Sequence, residues 1–573
     1  MSTTRKRTTL AEVIGLRAHA GVRGSFLPGA GVGLRAEISR STGGWLHDLW
    51  HEVEGPTHGV ALACTGSLAR QESGPLSDLD LIVLHDPGLE AAKVAQLAER
   101  LWYPIWDSGL ALDHSVRSVK ECRQVASHDL NVAGALLDLS PLAGDTDLVQ
   151  RASRQLAEDW RANARKRLPE VLNHIAGRHE RFGELAQMLE PDLKEAKGGL
   201  RDMSVLRAVT ASWLADRPHG AVDEAYAFLL DVRDTLHLVT GRPRNILVKH
   251  DQAEVAVRLG FDDPDQLLSR IGTASRRVSS ATDDTLRRAG QSQRMRLGRR
   301  RRRPELVPLH PGVYAHDGEV VLGRMRGGSP TDEVLLPFRA AAASATQDLP
   351  LSPVTARRLA ALPGPPGPWP ADARAEFVAF LGGPGLVRTW DTLDLAGVID
   401  IWFPEWAAIR DRPQRNPLHR HTVDRHSLEA VREAAKLIDR VPRPDLLLVA
   451  TLLHDLGKRP GGADHSAEGV RLIGPVAERM GWSPAEARTL EILVAEHLTL
   501  MALATGHDPT EPETARRLAG AVGQDPGTLR LLAALTEADA RSAGPRTWTT
   551  VRASLMKDLV ARTIGIMKPN AMA

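Results

Sequence analysis

Cysteine is scarce: Cys64 and Cys122 are the two in a chain of 573 residues. Two thiols exclude a disulfide framework or a zinc ribbon and suit a reducing compartment. Aromatic residues make up only 4%, which argues against rows of base-stacking platforms. A surplus of one charge is also missing, because 73 Lys plus Arg against 71 Asp plus Glu leaves a formal net charge of +2. No general field attracts nucleic acid, so none is expected as a partner and any polyanion site has to be local. No run reaches the roughly 18 uninterrupted apolar residues of a membrane span. The basic start, MSTTRKRTTLAEV, is not followed by an apolar stretch of signal-peptide length. The expectation is a soluble, cytoplasmic protein with no membrane partner.

What is present is ordinary globular composition, 42% hydrophobic and 25% charged, over a length that favours several domains. Residues 1–55 read as an N-terminal helical lead-in, closed by the amphipathic stretch Trp45–Trp50. Short apolar runs then alternate with helical patterns. Val60–Cys64, Leu79–Leu84 and Leu110–Val116 predict strands of an α/β domain over 56–150. From 151 to 290 the apolar spacing turns helical, with Leu229, Val232, Leu236 and Val239 on one face. Residues 291–373 read as a linker holding the Arg299–Arg303 run, a small hairpin through Asp317-Gly318, and the Pro/Gly-rich segment Pro363–Pro370. Residues 374–565 are helical again and carry a cluster of His and Asp.

The first chemical signal is the stretch from Gly66 to Leu81. Asp78 and Asp80 stand two apart at the head of an apolar strand, which turns both carboxylates to one face. Two such acids repel unless a cation lies between them, and Mg²⁺ takes one or two carboxylates while filling its remaining positions with phosphate oxygens. Upstream, Gly66-Ser67 sits where a strand turns into a helix. There the backbone approaches a phosphate closely, a hydroxyl can donate, and the helix N-terminus favours an anion. Arg70, one turn on, is a candidate for the same phosphate. Asp113 is the candidate third acid, able to help deprotonate an acceptor. These parts describe metal-assisted nucleotidyl transfer.

The second signal is His426, His454-Asp455 and Asp539, in helical patterns far apart in sequence. A His-Asp pair inside an apolar run is costly to bury without a metal or a partner. Imidazole with carboxylate suits Mn²⁺, Fe²⁺ or Zn²⁺. The order His, His-Asp, Asp is that of HD-type phosphohydrolases. His465 and His497 are further candidates, for a second metal position.

Four stretches, in this order, resemble the bacterial bifunctional PII uridylyltransferase/uridylyl-removing enzymes. They are GSLARQESGPLSDLDLIVL from Gly66, LDHSVRSVKEC ending at Cys122, LEPDLKEAKGGLRDM from Leu189, and the His-Asp set introduced by HTVDRHS. The third is shared with glutamine synthetase adenylyltransferase. The resemblance implies a multidomain chain: a polymerase-beta-like α/β nucleotidyltransferase domain, a helical domain, and an all-α HD domain. It implies transfer of UMP from UTP to a tyrosine of the PII signalling protein, and hydrolytic removal by the HD domain, in nitrogen control. It also makes Lys194 and Arg201 candidates for phosphate contact, beside a reading of Gly198-Gly199 as a packing turn. Two departures stand out. The C-terminal ACT domains usual in the family do not follow, so a short form is expected, and Glu496-His497 stands where two adjacent histidines are common. Alternatives are AMP transfer from ATP, a catalytically inactive PII-binding protein, or a tRNA CCA-adding nucleotidyltransferase. The last lacks the GGLRD segment and calls for more positive charge.

Overall fold

The computed structural model describes residues 8–19, 31–297, 305–323, 330–415, 420–461, 465–544 and 546–567. The chain divides into two compact units, residues 1–299 and 300–573. The Arg299–Arg303 run lies outside the described residues.

In the first unit, helix α1 (Gly31–Glu52) precedes strand β1 (Val60–Cys64). Then come β2 (Leu79–His85), α2 (Ala91–Asp107), β3 (Leu112–Ser118) and β4 (Ser140–Gly144). The four strands form one sheet in the order β3-β2-β1-β4. β1 pairs antiparallel with β2 and β4, while β2 and β3 run parallel with Asp80 beside Asp113. Every residue of β1 is buried, as a strand covered on both faces requires. Val60, Leu62 and Cys64 pack with Trp45, Leu46 and Trp50 of α1 and Leu101 of α2. Ala61 and Ala63 face the other way, with Ile82, Leu84 and Leu148. Alternation along β2 puts Asp80 on that second face, at its open end.

A helical layer follows: α3 (Thr146–Phe182), α4 (Leu200–Ala211), α5 (Ala221–Thr240) and α6 (Pro264–Leu297). Leu229, Val232 and Leu236 are buried as their spacing predicts, with Leu193, Met203 and Ile271 in the same core.

The second unit opens with β5 (Val307–His310), β6 (Val313–His316) and β7 (Glu319–Leu322) in one antiparallel sheet. Asp317 and Gly318 both take positive φ between β6 and β7, the geometry of a tight hairpin turn. Helix α7 (Pro330–Thr346) follows, and the site-bearing helices are α8 (Val423–Ala434), α9 (Pro444–Leu453), α10 (His465–Arg479), α11 (Pro484–Ala495) and α12 (Pro526–Ala543).

The stretch expected as a linker over 291–373 is not one where it is described. Val313, Val320 and Phe338 belong to the same hydrophobic core as the helices around His426 and His454. Trp369, at the end of the Pro-rich segment, is 2% exposed. Its ring meets Phe338 at 5.0 Å and Phe403 at 5.5 Å, and Phe338 stacks on Trp402 at 4.4 Å. Proline density signals an extended backbone but not solvent exposure. Here one tryptophan pins the strap, and burying such a side chain contributes roughly 1.5–3 kcal/mol. No single helix among the described residues is long and apolar enough to cross a membrane.

Candidate active sites

The first site lies at the end of the sheet. Asp78 sits one residue ahead of β2 and is exposed, Asp80 is half-buried within β2, and Asp113 is exposed on β3. The Thr65 amide donates to the Asp80 carbonyl at 3.0 Å, which brings the Gly66–Ala69 turn against β2. Gly66 has φ +60, and a Cβ there would collide with Asp80 Oδ2. Only glycine lets this backbone lie on the carboxylate. The three acids share one electrostatic neighbourhood. Burial, then Asp78 and Asp113, push Asp80 up to about 6, against the opposing fields of Arg70 and Lys194. Crowded carboxylates of this kind fit a divalent cation. The Ser67 hydroxyl is buried with no hydrogen-bond partner among the described residues. Such a group costs about 1–3 kcal/mol unless a ligand satisfies it.

Arg70, the phosphate candidate of the sequence, is held by two carboxylates. Its Nε donates to Glu72 at 2.7 Å and its Nη1 pairs with Asp138. Glu72 also accepts from Arg207 Nη2 at 2.6 Å and from the Tyr226 hydroxyl at 2.8 Å. Burial opposes its charge, but Arg207 and Arg70 hold it below the usual carboxylate range. The loop carrying Asp78 is fixed further along. The Ser73 amide donates to Ser39 Oγ at 3.1 Å, and Arg17 Nη1 donates to the Ser77 carbonyl at 2.9 Å. Arg17, Glu72 and Asp138 were not found from sequence. No motif marks them, since their partners lie on distant segments.

The second site gathers His426 from α8, His454 and Asp455 just after α9, and Asp539 from α12. Helix α9 is buried from Leu446 through Leu453, so His454 and Asp455 emerge at 1% exposure each. His426 Nε2 lies 2.9 Å from Asp539 Oδ1 and 3.6 Å from Asp455 Oδ2, and His454 Nε2 lies 3.3 Å from Asp455 Oδ2. Ligands on one ion with bonds near 2.1 Å stand about 3–3.5 Å apart. The rings are oriented from behind: His454 Nδ1 meets the Thr451 carbonyl at 2.8 Å, and His426 Nδ1 meets Ser542 Oγ at 3.2 Å. That leaves both Nε2 atoms turned to the carboxylates, the usual arrangement behind a metal. Burial lowers the pKa of His454, yet Asp455 and Asp539 raise it to about 9, so this point favours positive charge.

His465 and His497 also come here. They form a second possible ligand group with Asp455, all ligand atoms lying within 4.8 Å of one another. His497 Nδ1 meets the Val494 carbonyl at 2.7 Å. Burial and the His454 charge push His497 down to about 4, which keeps the imidazole neutral, as a ligand must be. A Cβ on Gly457 would strike the His465 carbonyl and the Gly469 amide, so glycine permits α10 to start this close. Lys458 Nζ, unforeseen from sequence, contacts Asp455 Oδ2 at 2.7 Å and Gln414 Oε1 at 3.0 Å. A cavity of about 490 Å³ opens beside Asp455 and Asp539, with Arg412, Lys458, Arg459 and Met501 in its wall. Its cations suit a phosphodiester.

A nucleotidyltransferase-type α/β domain and a helical HD domain thus share one chain. Residues 165–286 match the family model described as GlnD PII-uridylyltransferase, and 423–519 match the HD domain. Three similar proteins bear the name bifunctional uridylyltransferase/uridylyl-removing enzyme. That of Streptomyces coelicolor is 46% identical over 547 residues, covering 93% of this chain and 65% of that protein. That of Mycobacterium tuberculosis is 40% identical over 548 residues, 94% of this chain and 67% of its own. That of Corynebacterium glutamicum is 38% identical over 495 residues, 86% and 70%. The chain belongs to the bifunctional uridylyltransferase/uridylyl-removing enzyme family. It spans about two thirds of the length of these relatives.

Proposed function

We propose that this chain transfers UMP from UTP to a tyrosine of the PII protein in its first unit and hydrolyses the same tyrosyl–UMP phosphodiester in its second, as a cytoplasmic enzyme of nitrogen control. The observation that carries the reading is the pairing of an acid cluster packed on a Gly-Ser turn with a buried His/Asp cluster in one chain. The former suits making a phosphodiester, the latter cleaving one.

In the first unit, Asp78 and Asp80 would hold Mg²⁺, and the Gly66 backbone and Ser67 hydroxyl would meet the phosphates. The cation, when bound, neutralises phosphate charge and favours attack at the α-phosphorus. Asp113 accepts the proton of the tyrosine hydroxyl, whose oxygen forms the new P–O bond in line as the bond to pyrophosphate breaks. In the second unit, His426, His454, Asp455 and Asp539 would hold a divalent ion of the Mn²⁺, Fe²⁺ or Zn²⁺ kind, with His465 and His497 beside Asp455 for a second. A bound ion of this class supplies Lewis acidity to a water and to the phosphodiester. Lys458 and Arg412 face the phosphate and stabilise its added charge, water provides the oxygen bonded to phosphorus, and the tyrosine oxygen leaves with the proton that the water gives up.

Incubation of the purified chain with PII and α-labelled UTP or ATP tests the proposal. Label on PII from UTP, later released as UMP, is the expected result. Label from ATP alone reassigns the base, and label on tRNA but not PII overturns the reading.

A further inference from the structure

A strand at the edge of a sheet offers a row of unpaired backbone N–H and C=O groups, and proteins blunt such edges with brevity, proline, bulges or lysine. The sheet of the first unit has two edges, β3 and β4. β4 carries Pro141 and pairs with β1 through a register shift. β3 has none of these devices. Its seven residues, Leu112–Ser118, contain no proline, glycine or lysine and keep one unbroken register with β2. The Leu79 amide donates to the Ala111 carbonyl at 2.8 Å. A parallel ladder repeats that bond on alternate residues, so Asp113, Ser115 and Arg117 turn their backbone groups to β2. His114 and Val116 turn theirs to the open edge, where no strand pairs with them among the described residues.

The two faces at this edge differ. Asp113 lies beside Asp80 on the acid face. On the opposite face Leu112 packs against the core that holds Leu101 and Trp102 of α2. The His114 ring meets Trp102 at 5.0 Å and Trp106 at 5.5 Å, and Trp106 meets Tyr103 at 5.5 Å. Yet Tyr103 is 61% exposed, Trp106 47% and Val116 37%. Large side chains bared together beside an unpaired strand form an apolar patch of the kind that marks a protein contact, where Trp and Tyr are enriched.

Resting on the transfer reading above, we infer that the open edge of β3 docks the acceptor protein by pairing with an extended segment that contains the acceptor tyrosine. An added strand lies about 5 Å from β3 and about 10 Å from β2. Its side chains alternate between the faces. A tyrosine placed opposite Asp113 therefore projects over the acids, with its hydroxyl towards the Asp113 carboxylate. Its two neighbours in sequence fall on the other face, towards His114 and Trp106. Backbone pairing holds the segment, and the aromatic face selects apolar neighbours of the tyrosine. The occupant follows from Asp113, because the strand that offers the edge also carries the acid assigned to the acceptor's proton.

Two measurements on the full-length chain test this. In steady-state transfer from UTP, Trp106→Ala is expected to raise KM for PII roughly tenfold, the loss of one aromatic anchor, with KM for UTP unchanged. In residue-resolved amide hydrogen exchange, His114 and Val116 are expected to exchange fast in the chain alone and to slow at least roughly tenfold with saturating PII, as ladder bonds form. An unchanged KM for PII overturns the inference, and so does exchange that PII leaves unaltered. Slow exchange at both amides without PII overturns it as well, since a second copy or another segment of this chain then occupies the edge. A parallel rise in KM for UTP marks a disturbed sheet and counts against it equally. Absence of label on PII from both UTP and ATP in the wild-type chain overturns the transfer reading itself, and the inference with it.

Discussion

Substituting Gly66 by alanine separates the two proposed activities by a single methyl group. The new Cβ would collide with Asp80 Oδ2 at a residue whose φ is +60. An alanine in this left-handed region costs about 1 kcal/mol of stability. The collision has the larger effect. To regain van der Waals contact, the Asp80 carboxylate has to shift by about 1 Å, and a misplacement of that size at a reacting centre costs on the order of 100-fold in rate. Asp80 also feels the charges of Asp78 and Asp113, so moving it changes the common cation position. The assay measures label transferred from UTP to PII, and separately UMP released from pre-modified PII. Gly66→Ala is expected to lower transfer by about two orders of magnitude and to leave release unchanged. Transfer equal to that of the wild-type chain would refute the close packing of turn and acid as a catalytic requirement.

Glu72→Ala and Arg207→Met each break a partly buried ion pair and are expected to cost about 2–4 kcal/mol in urea unfolding. The double variant should cost clearly less than the sum, and additivity would show that the two residues do not act together. His237 gives a pH signature. Burial, then the Arg233 charge, hold it down at about 4 from an ordinary 6.5. Because the folded pKa is the lower one, its contribution is complete above the unfolded pKa and is lost as the pH falls from 6.5 towards 4, about 2 kcal/mol between pH 7 and pH 5. Hydrogen-exchange protection of α5 should fall by that amount in the wild type and stay flat in His237→Gln. An equal fall in both would remove His237 as the cause.

The parts legible in the sequence were those where one element carries both the pattern and the chemistry. The buried run Val60–Cys64, the strand after Asp78, and the His454-Asp455 pair at the end of an apolar helix announce themselves by composition and period. Strand β4 did not, because Ser140–Gly144 contains proline and glycine and little apolar surface. Nor did the packing of Trp369, since proline fixes backbone shape while burial depends on what lies across from it. The partners of Arg70 were hidden for a related reason. Its position one turn after Gly66 suits a phosphate, but Asp138 and the Arg207–Tyr226 pair that hold Arg70 and Glu72 come from segments far along the chain.

The claim on which the account stands is that opposing reactions run at two separate sites. Rates of UMP transfer to PII and of UMP release from it, measured on Asp78→Asn/Asp80→Asn and on His454→Ala/Asp455→Ala, test it most directly. The account predicts that the first pair loses transfer and keeps release, and that the second keeps transfer and loses release. Loss of both activities in either variant, or transfer persisting without the two aspartates, would contradict it.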